Sequence, residues 1–269
     1  MPKVSCIVVN FNNERFLERA VRSLLQQTRV PDEIIIADDA STDHSANIIR
    51  QFENADHRIK GVFRSRNIGV AANRDLAIRD SSGTYFTTLD SDDWFYPEKI
   101  EKELHALGNS DNAIACSDID LVQNDRVFDT IRTEGFCRLT SSGEQLRFLV
   151  SRKKGMPRDM LMARSLYVEA GGMRHELKRY EDWDFKQRLA DMGLAWKHSG
   201  ITGMAYRREG AGLSSANQFR HSIDKVRVIG PRMIHSRERA AYLLGLADLI
   251  FLKGSRKILR RKRFENEVI

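Results

Sequence analysis

Strand-like apolar runs alternate with amphipathic helix patterns along the first hundred residues. Four near-continuous apolar runs have the length and composition of strands that are buried on both faces: 4–9, 33–37, 59–63 and 84–89. Apolar residues between 16 and 25 follow an i, i+1, i+4, i+5 stripe, which predicts an amphipathic helix. Further helices are predicted over 70–79 and from Pro97 onward. The alternation is typical of an α/β protein with a largely parallel, mixed central sheet flanked by helices.

After residue 110 the pattern is mixed. Strands are predicted over 113–119 and near Val127, with a turn at Asn124-Asp125 between them. Helical patterns follow at four places: 143–151, 165–170, 180–192 and 236–252. Because no repeat or low-complexity linker separates the halves, we expect a first part (1–110) and a second part (111–235) that share one sheet, followed by a helical tail (236–269).

Composition is that of a globular protein, with 41% hydrophobic and 30% charged residues among 269. No apolar run reaches the roughly 18 residues that a transmembrane helix needs. Met1-Pro2-Lys3 leads directly into the first strand pattern without the features of a signal peptide, so we expect a cytoplasmic location. Cys6 and Cys116 stand in apolar runs and are interpreted as small buried residues.

The positive charge is concentrated at the C-terminal end. Seven Lys/Arg against two Glu in residues 253–269 account for +5 of the net charge of +7. A basic helix next to apolar residues predicts contact with an anionic membrane surface, where each basic residue contributes about 1 kcal/mol. A helix packed on the core that ends in a charged stub is the alternative. Nucleic-acid binding is not expected, because no recognisable binding module or aromatic platform accompanies the basic residues.

Polar and acidic residues follow three of the predicted strands, at the point where each strand ends: 10–12, 38–39 and 90–93. In open α/β sheets, ligands bind outside the carboxyl ends of the strands. The spacing of Asp90 and Asp92 places both carboxylates on one side of an extended segment, and such a pair is a hard-oxygen site for Mg²⁺ or Mn²⁺. A solvated acidic turn in front of the helix at Pro97 is the alternative.

An ordered set of motifs resembles the family 2 glycosyltransferases, which have the GT-A fold. The motifs extend over roughly residues 4–207 and follow in this order: Val8-Val9-Asn10-Phe11-Asn12, Ala37-Asp38-Asp39-Ala40-Ser41-Thr42-Asp43, Asn67-Ile68-Gly69-Val70-Ala71-Ala72-Asn73-Arg74, Leu89-Asp90-Ser91-Asp92-Asp93, Ala170-Gly171-Gly172-Met173 and Tyr180-Glu181-Asp182-Trp183-Asp184. The resemblance implies a nucleotide-sugar-binding part in 1–110 and an acceptor-binding part with the catalytic base in 111–235.

The resemblance also implies which residues contact the nucleotide: Val9, Asn10, Phe11, Asn12, Asp39, Asn67, Gly69, Arg74, Asp90 and Ser91. Asp39 would accept a hydrogen bond from the base, Arg74 would contact the base or a phosphate, and Asp90 would hold the ribose. The family often has Asn after this arginine. Here Asp75 follows, and we expect it to lie on the helix surface.

Metal and catalytic roles follow from the same resemblance. Asp92 and Asp93 would bind Mn²⁺ or Mg²⁺, Asp182 would be the catalytic base, and Glu181 would help to orient it. Three further candidates are His198 as a metal ligand, and Trp94 and Arg207 as contacts to the donor sugar or phosphate. Each has a plainer interpretation: a structural histidine, a packed tryptophan and a surface arginine. Acidic residues at 181–184 also suit a helix N-terminus.

These roles predict one reaction. A divalent cation stabilises the charge of a departing nucleoside diphosphate, and a carboxylate takes the proton of the acceptor hydroxyl. A single displacement inverts the anomeric centre. We therefore expect transfer from a UDP-linked sugar to a glycan or lipid-linked acceptor, in bacterial polysaccharide or lipopolysaccharide assembly at the inner face of the plasma membrane.

The alternative from another class is a catalytically silent partner that binds nucleotide sugar or tethers a complex to the membrane. A dinucleotide-binding oxidoreductase and a sugar-nucleotide pyrophosphorylase are disfavoured, since the turn at 10–14 lacks the glycines that either would need.

Overall fold

The computed structural model describes residues 2–108, 110–151, 154–208, 224–231, 236 and 238–247. Strands and helices alternate in the first part of the chain: β1 (Val4–Asn10), α1 (Glu14–Leu25), β2 (Glu33–Asp38), α2 (Ser45–Ala55), β3 (Ile59–Phe63), α3 (Val70–Asp80) and β4 (Tyr85–Asp90). All seven residues of β1 are buried, as expected for a strand with helices on both faces of its sheet. The predicted stripe of α1 faces the core through Leu17, Val21 and Leu24.

The elements after β4 are less regular, and the first of them is a very short strand: β5 (Trp94–Phe95), α4 (Lys99–Leu107), β6 (Ala113–Gln123), β7 (Arg126–Ile131), α5 (Glu134–Cys137), α6 (Ser142–Ser151), β8 (Leu161–Ala163), α7 (Arg164–Glu169), α8 (Glu181–Asp191) and β9 (Ala195–Arg207). Residues 224–231 and 239–247 are also helical. No helix within this described part of the chain combines the length and the apolar character needed to cross a bilayer. Residues 253–269, which carry the predicted basic tail, lie outside the described residues.

The strands form one mixed sheet in the order β3-β2-β1-β4-β8-β6-β9-β5, with β7 paired to β6. β3, β2, β1 and β4 are parallel, β8 runs antiparallel to both β4 and β6, and β9 runs parallel to β6. The three residues of β8 therefore join strands from before and after residue 110 in one sheet. This is the predicted α/β architecture, and the division into functional parts stays a prediction.

Three strands were not predicted, and each lacks a readable pattern. β5 and β8 have two and three residues, too few to show a period. β9 has thirteen residues, but its middle is polar and only partly buried, with Lys197, His198 and Ser199 in succession. Arg207 is the last residue of this strand.

The cysteines are buried as expected, and two of them are neighbours. Cys6 and Cys116 are fully buried. The Sγ atom of Cys116 lies 3.1 Å from that of Cys137, and both are free thiols. Sequence spacing alone did not indicate this contact.

Candidate active site

The strand ends that the sequence predicted to converge lie side by side at one edge of the sheet. β1 runs between β2 and β4, and the register places Asn10 opposite Asp38. On the other side of β1, Val9 lies opposite Asp90. The pairing continues past the strands, because the Asp39 N–H donates to the Asn10 carbonyl at 2.9 Å. Backbone hydrogen bonds between parallel strands therefore bring these polar residues together.

Three carboxylates form a cluster at the end of β4. Asp90, Asp92 and Asp93 each offer an oxygen atom, and these atoms all lie within 4.8 Å of one another. Ser91 lies between them and is buried. Asp93 is 1% exposed: its Oδ1 accepts the Arg207 N–H at 2.8 Å, and its Oδ2 is buried without a hydrogen-bond partner. We call these three aspartates the carboxylate cluster.

The carboxylate cluster carries more negative charge than its surroundings compensate. Burial, followed by the charge of Asp90, raises the pKa of Asp92 to about 6. Burial raises the pKa of Asp93 well above its ordinary value; Arg158 opposes this effect, and the two neighbouring carboxylates add to it. Hard oxygen ligands with uncompensated charge and an unpaired buried atom fit Mg²⁺ or Mn²⁺, because a divalent cation would neutralise them.

The loop after β3 is tied to the end of β2 beside the cluster. Asp39 is buried, and its carboxylate accepts the N–H groups of Ile68 at 2.8 Å and Gly69 at 2.9 Å. Gly69 has a φ of 89°, which favours glycine, and it precedes the first turn of α3. Phe11, with 49% of its surface exposed, and the exposed Asn67 remain open to a ligand at this edge.

The side chains of Asn10 and Asn12 form hydrogen bonds to the end of β2 and to the segment that follows it. The Asn10 Nδ2 donates to Asp38 Oδ1 at 2.7 Å and to Ser41 Oγ at 3.2 Å. Asn12 has a φ of 50° and accepts the Thr42 N–H at 2.7 Å. The two amides therefore connect the end of β1 to the segment after β2. Their predicted contacts to a nucleotide stay predictions.

Arg74 joins the carboxylate cluster to the start of α8. Its guanidinium is 7% exposed, donates through Nη2 to Asp90 Oδ1 and through Nη1 to Glu181 Oε1 at 3.2 Å. We expected Arg74 to contact a base or phosphate. The structure places it between two carboxylates, because its side chain extends from α3 to both Asp90 and Glu181.

The two acidic residues that open α8 have different environments. Glu181 is 8% exposed, and burial followed by the charge of Asp182 raises its pKa, against the effect of Arg74. The Asp182 side chain is half exposed and accepts the Lys186 ammonium at 2.8 Å. Desolvation by the surrounding side chains opposes ionisation of Asp182, but Lys186, Arg158 and Arg74 together hold its pKa below the ordinary value. Asp182 is therefore the more accessible carboxylate of the pair.

His198 does not join the carboxylate cluster. Within the described residues, the ligand atoms that come together are those of the three aspartates. His198 lies on β9, where its Nε2 is 2.9 Å from Asp118 Oδ1 and its Nδ1 accepts the Gly200 N–H at 3.1 Å. Asp118 also accepts the Thr133 N–H at 2.8 Å. His198 is therefore held in a structural network, which corrects its prediction as a metal ligand.

Trp94 and Arg207 lie behind the carboxylate cluster. Trp94 is 9% exposed, and the Arg19 guanidinium lies 3.4 Å from the centre of its ring. The Arg207 guanidinium is over Phe16 at 4.3 Å and over Trp94 at 5.3 Å, and its Nη2 reaches Asp125 at 3.3 Å. Arginines therefore pack on the Trp94 ring, and its predicted contact to a donor sugar stays a prediction. Arg207 supports the cluster through its backbone N–H.

Arg158 is the site residue that the sequence analysis missed. It lies in the segment between α6 and β8, and its Nη2 is 3.0 Å from Asp90 Oδ2 and 3.6 Å from Asp93 Oδ2. Its guanidinium also stacks over Tyr206 at 3.9 Å. The one available signal was an adjacent Arg158-Asp159 pair between Met156 and Met160, a charged pair within an apolar segment.

Asp75 corrects the expectation of a helix-surface residue. It is 3% exposed and accepts the Tyr167 hydroxyl at 2.6 Å and the Met173 N–H at 3.1 Å through Oδ1. Its Oδ2 is 2.9 Å from both Arg79 Nε and His175 Nε2. Asp75 therefore joins α3 to α7 and to the segment that follows α7.

Fold and site together define a GT-A-type scaffold, with a parallel first half and a carboxylate cluster at the strand ends. The family described as "Glycosyl transferase family 2" matches residues 5–172. The chain belongs to this glycosyltransferase family.

Curated relatives support the same family. The "Putative teichuronic acid biosynthesis glycosyltransferase TuaG" of Bacillus subtilis (strain 168) is 36% identical over 124 residues, which is 46% of this chain and 49% of the relative. An "Uncharacterized glycosyltransferase" of Haemophilus influenzae is 28% identical over 191 residues, 69% of this chain and 61% of the relative. The match spans about half the length of the first of these relatives.

Solved structures support the fold. TarS 1–349 of S. aureus in complex with UDP-GlcNAc superposes with a TM-score of 0.72 at 20% identity, covering 92% of this chain and 71% of that one. At this identity, the likeness establishes the GT-A fold and no more.

Proposed function

We propose that this protein is an inverting glycosyltransferase that moves a sugar from a UDP-linked donor to a hydroxyl group of a glycan or lipid-linked acceptor. One observation carries the proposal: the Arg74 guanidinium bonds both to Asp90 of the carboxylate cluster and to Glu181, the neighbour of Asp182. The Arg74 guanidinium thus joins the cluster that is suited to hold the leaving diphosphate to the start of the helix that carries the proposed base.

The nucleotide-binding role rests on the open edge beside the cluster and on the fold. TarS, which shares the fold, is described in complex with UDP and with UDP-GlcNAc. In this proposal, the base and the ribose of the UDP-linked donor lie against the ends of β1, β2 and β4, near Phe11, Asn67 and Asp39. The exposed Phe11 ring offers a stacking surface for a pyrimidine.

Asp90, Asp92 and Asp93 would hold Mg²⁺ or Mn²⁺ together with the donor's phosphates. When bound, such a cation supplies charge stabilisation for the departing diphosphate. The protein's own part is to keep Asp93 buried and oriented by the Arg207 N–H, so that little rearrangement is needed on binding.

Asp182 is the proposed base. Its carboxylate is ionised at neutral pH, as an ordinary aspartate is. Lys186, Arg158 and Arg74 lower its pKa further, and half of its side chain is accessible. A carboxylate of low basicity accepts the hydroxyl proton as the bond to the sugar forms, when the attacking oxygen becomes acidic. No second carboxylate is assigned as a nucleophile, so the proposed displacement inverts the anomeric centre.

Assembly of cell-surface polysaccharide is the proposed context, because a 36% identical relative is described in terms of teichuronic acid biosynthesis. A location at the inner face of the plasma membrane belongs to the same proposal and rests on the basic residues in 253–269. A catalytically silent nucleotide-sugar binder is the alternative, and an accessible, ionised Asp182 favours the enzyme.

The proposal is tested by measuring thermal shifts with UDP, GDP and CDP, with and without Mn²⁺, followed by UDP release from UDP-sugars. We expect a shift with UDP that depends on Mn²⁺, and UDP release that rises when an acceptor glycan is added. No shift with any nucleotide contradicts the binding site. A UDP shift without any release or transfer across a panel of sugars and acceptors supports the silent partner.

A further inference from the structure

Arg158 lies against the carboxylate cluster, where a cation is expected. Its Nη2 faces Asp90 Oδ2 at 3.0 Å and Asp93 Oδ2 at 3.6 Å. The second distance is too long for a hydrogen bond, and Asp93 Oδ2 is buried without one. The guanidinium therefore compensates the charge of the cluster without satisfying its most buried oxygen atom.

Further partners for the Arg158 guanidinium lie in its own segment and on β9. Asp159, the next residue, has a φ of 42°, which is unfavourable for a non-glycine residue. Its Oδ2 lies 3.6 Å from Arg158 Nε and is buried without a hydrogen-bond partner. The Tyr206 ring, 3.9 Å away, offers the guanidinium a further surface. Arg158 thus has other partners close by when Asp90 and Asp93 are engaged.

We propose that Arg158 is an internal counter-ion that competes with the divalent cation for the carboxylate cluster and couples cation binding to diphosphate binding. In the protein without ligands, the guanidinium compensates part of the charge of Asp90 and Asp93. A divalent cation at the same oxygens repels it, so the cation binds weakly alone. A nucleoside diphosphate supplies a new anionic partner for the displaced guanidinium, and the two ligands bind cooperatively.

This inference rests on the proposed function, since it presumes that the cluster binds a divalent cation. It adds a mutual dependence of cation binding and diphosphate binding, which the carboxylate cluster alone does not predict. Coupling between two ligands is reciprocal, so UDP must strengthen Mn²⁺ binding by the same factor by which Mn²⁺ strengthens UDP binding. A purely structural Arg158 would stabilise the fold and leave this factor unchanged.

The test is calorimetric titration of Mn²⁺ into the full chain, with and without saturating UDP. In Arg158→Gln, we expect Mn²⁺ alone to bind at least about tenfold more tightly, because a competing unit charge is removed. The strengthening by UDP should fall toward one. Arg158→Lys, which keeps the charge, should resemble the original protein.

Arg58→Gln is the matched control, because Arg58 also forms an ion pair with a carboxylate, Asp56 at 2.6 Å, but at the start of β3, away from the strand ends. Its Mn²⁺ affinity and UDP dependence should stay unchanged. If Arg158→Gln binds Mn²⁺ no more tightly than Arg58→Gln, or keeps the full strengthening by UDP, the inference is overturned. If the unaltered protein binds no Mn²⁺ even with UDP, the proposed metal site fails as well.

A second measurement avoids dependence on the folding of Arg158→Gln. The Nε–H resonance of Arg158, assigned by its loss in Arg158→Lys, should shift when Mg²⁺ and UDP are added to the unaltered protein. A resonance that stays in place at saturation contradicts displacement of the guanidinium.

Discussion

Adjacent carboxylates in this site are tuned in opposite directions by their surroundings. Burial raises the pKa of Glu181, whereas Lys186, Arg158 and Arg74 lower that of Asp182 despite its desolvation. Pairs of carboxyl groups whose pKa values are driven apart are a known feature of active sites. In this pair, Asp182 is the more accessible carboxylate and Glu181 is buried against Arg74.

Replacing Asp182 by Asn should abolish transfer while donor binding persists. The amide keeps the shape of the side chain but cannot accept the hydroxyl proton, and loss of a general base costs about 10²–10⁴ in rate. Steady-state transfer and calorimetric UDP-sugar binding check this. Asp129→Asn is the matched control, because Asp129 is a similarly accessible aspartate bonded to a lysine, Lys154. Equal rates for both variants would rule out the assigned role.

Replacing Asp92 by Asn should stabilise the metal-free protein at neutral pH. Its pKa rises from 3.8 to about 6 on folding, so the native state binds more protons between these values and stability falls as pH rises through them. Asn removes that penalty, and we expect a higher Tm at pH 7.5, by roughly 2–4 °C for each kcal/mol recovered.

The gain from Asp92→Asn should vanish below about pH 3.8, where the aspartate is protonated in both states. Scanning calorimetry with EDTA at several pH values measures it. Asp129→Asn should give no gain at any pH, because the pKa of Asp129 is lowered by Lys154. A destabilised Asp92→Asn at neutral pH would show that the cluster is not under charge repulsion. Mn²⁺ binding should be lost in the same variant.

At the scale of elements, α3 connects the two halves of the molecule through consecutive residues. Arg74 reaches Asp90 at the end of β4 and Glu181 at the start of α8. Asp75 accepts the Tyr167 hydroxyl on α7 and the Met173 N–H beyond it. One helix therefore positions both the proposed metal site and the proposed base relative to the sheet.

Asp75→Ala should destabilise the fold by about 2–3 kcal/mol, because the buried Tyr167 hydroxyl loses its acceptor and the Met173 N–H keeps only the Tyr167 oxygen. Urea unfolding measures the change. Asp80→Ala is the control, since Asp80 is an exposed aspartate at the end of the same helix. A loss no larger than that of Asp80→Ala would show that Asp75 does not carry the connection between α3 and α7.

At the scale of the whole molecule, charge is distributed unevenly, and most of the net +7 belongs to residues 253–269. Deleting these residues should reduce binding to vesicles that contain anionic lipid, where each Lys/Arg contributes about 1 kcal/mol. Co-sedimentation at low and high salt measures this, and vesicles of neutral lipid are the control. Undiminished binding of the shortened chain to anionic vesicles would favour the charged-stub interpretation.

Much of the first half could be predicted because its signals are local. Strands buried on both faces have continuous apolar runs, and the stripe of α1 repeats with the helical period. Parallel strands place their carboxyl ends at one edge, so the meeting of Asn10, Asp39 and Asp90 followed from topology. The second half lacks such signals, because β8 is too short and β9 too polar to show a period.

By itself, the sequence determined the α/β class, the family and the acidic edge, since periodicity and strand direction act over a few residues. Only the tertiary structure decided which charges meet across long separations: Arg158 reaches Asp90 over 68 residues and Arg74 reaches Glu181 over 107. The tertiary structure also pairs His198 with Asp118 and buries Asp75. These contacts depend on how β8 and β9 insert into the sheet, and no local pattern encodes the partner of a charged side chain.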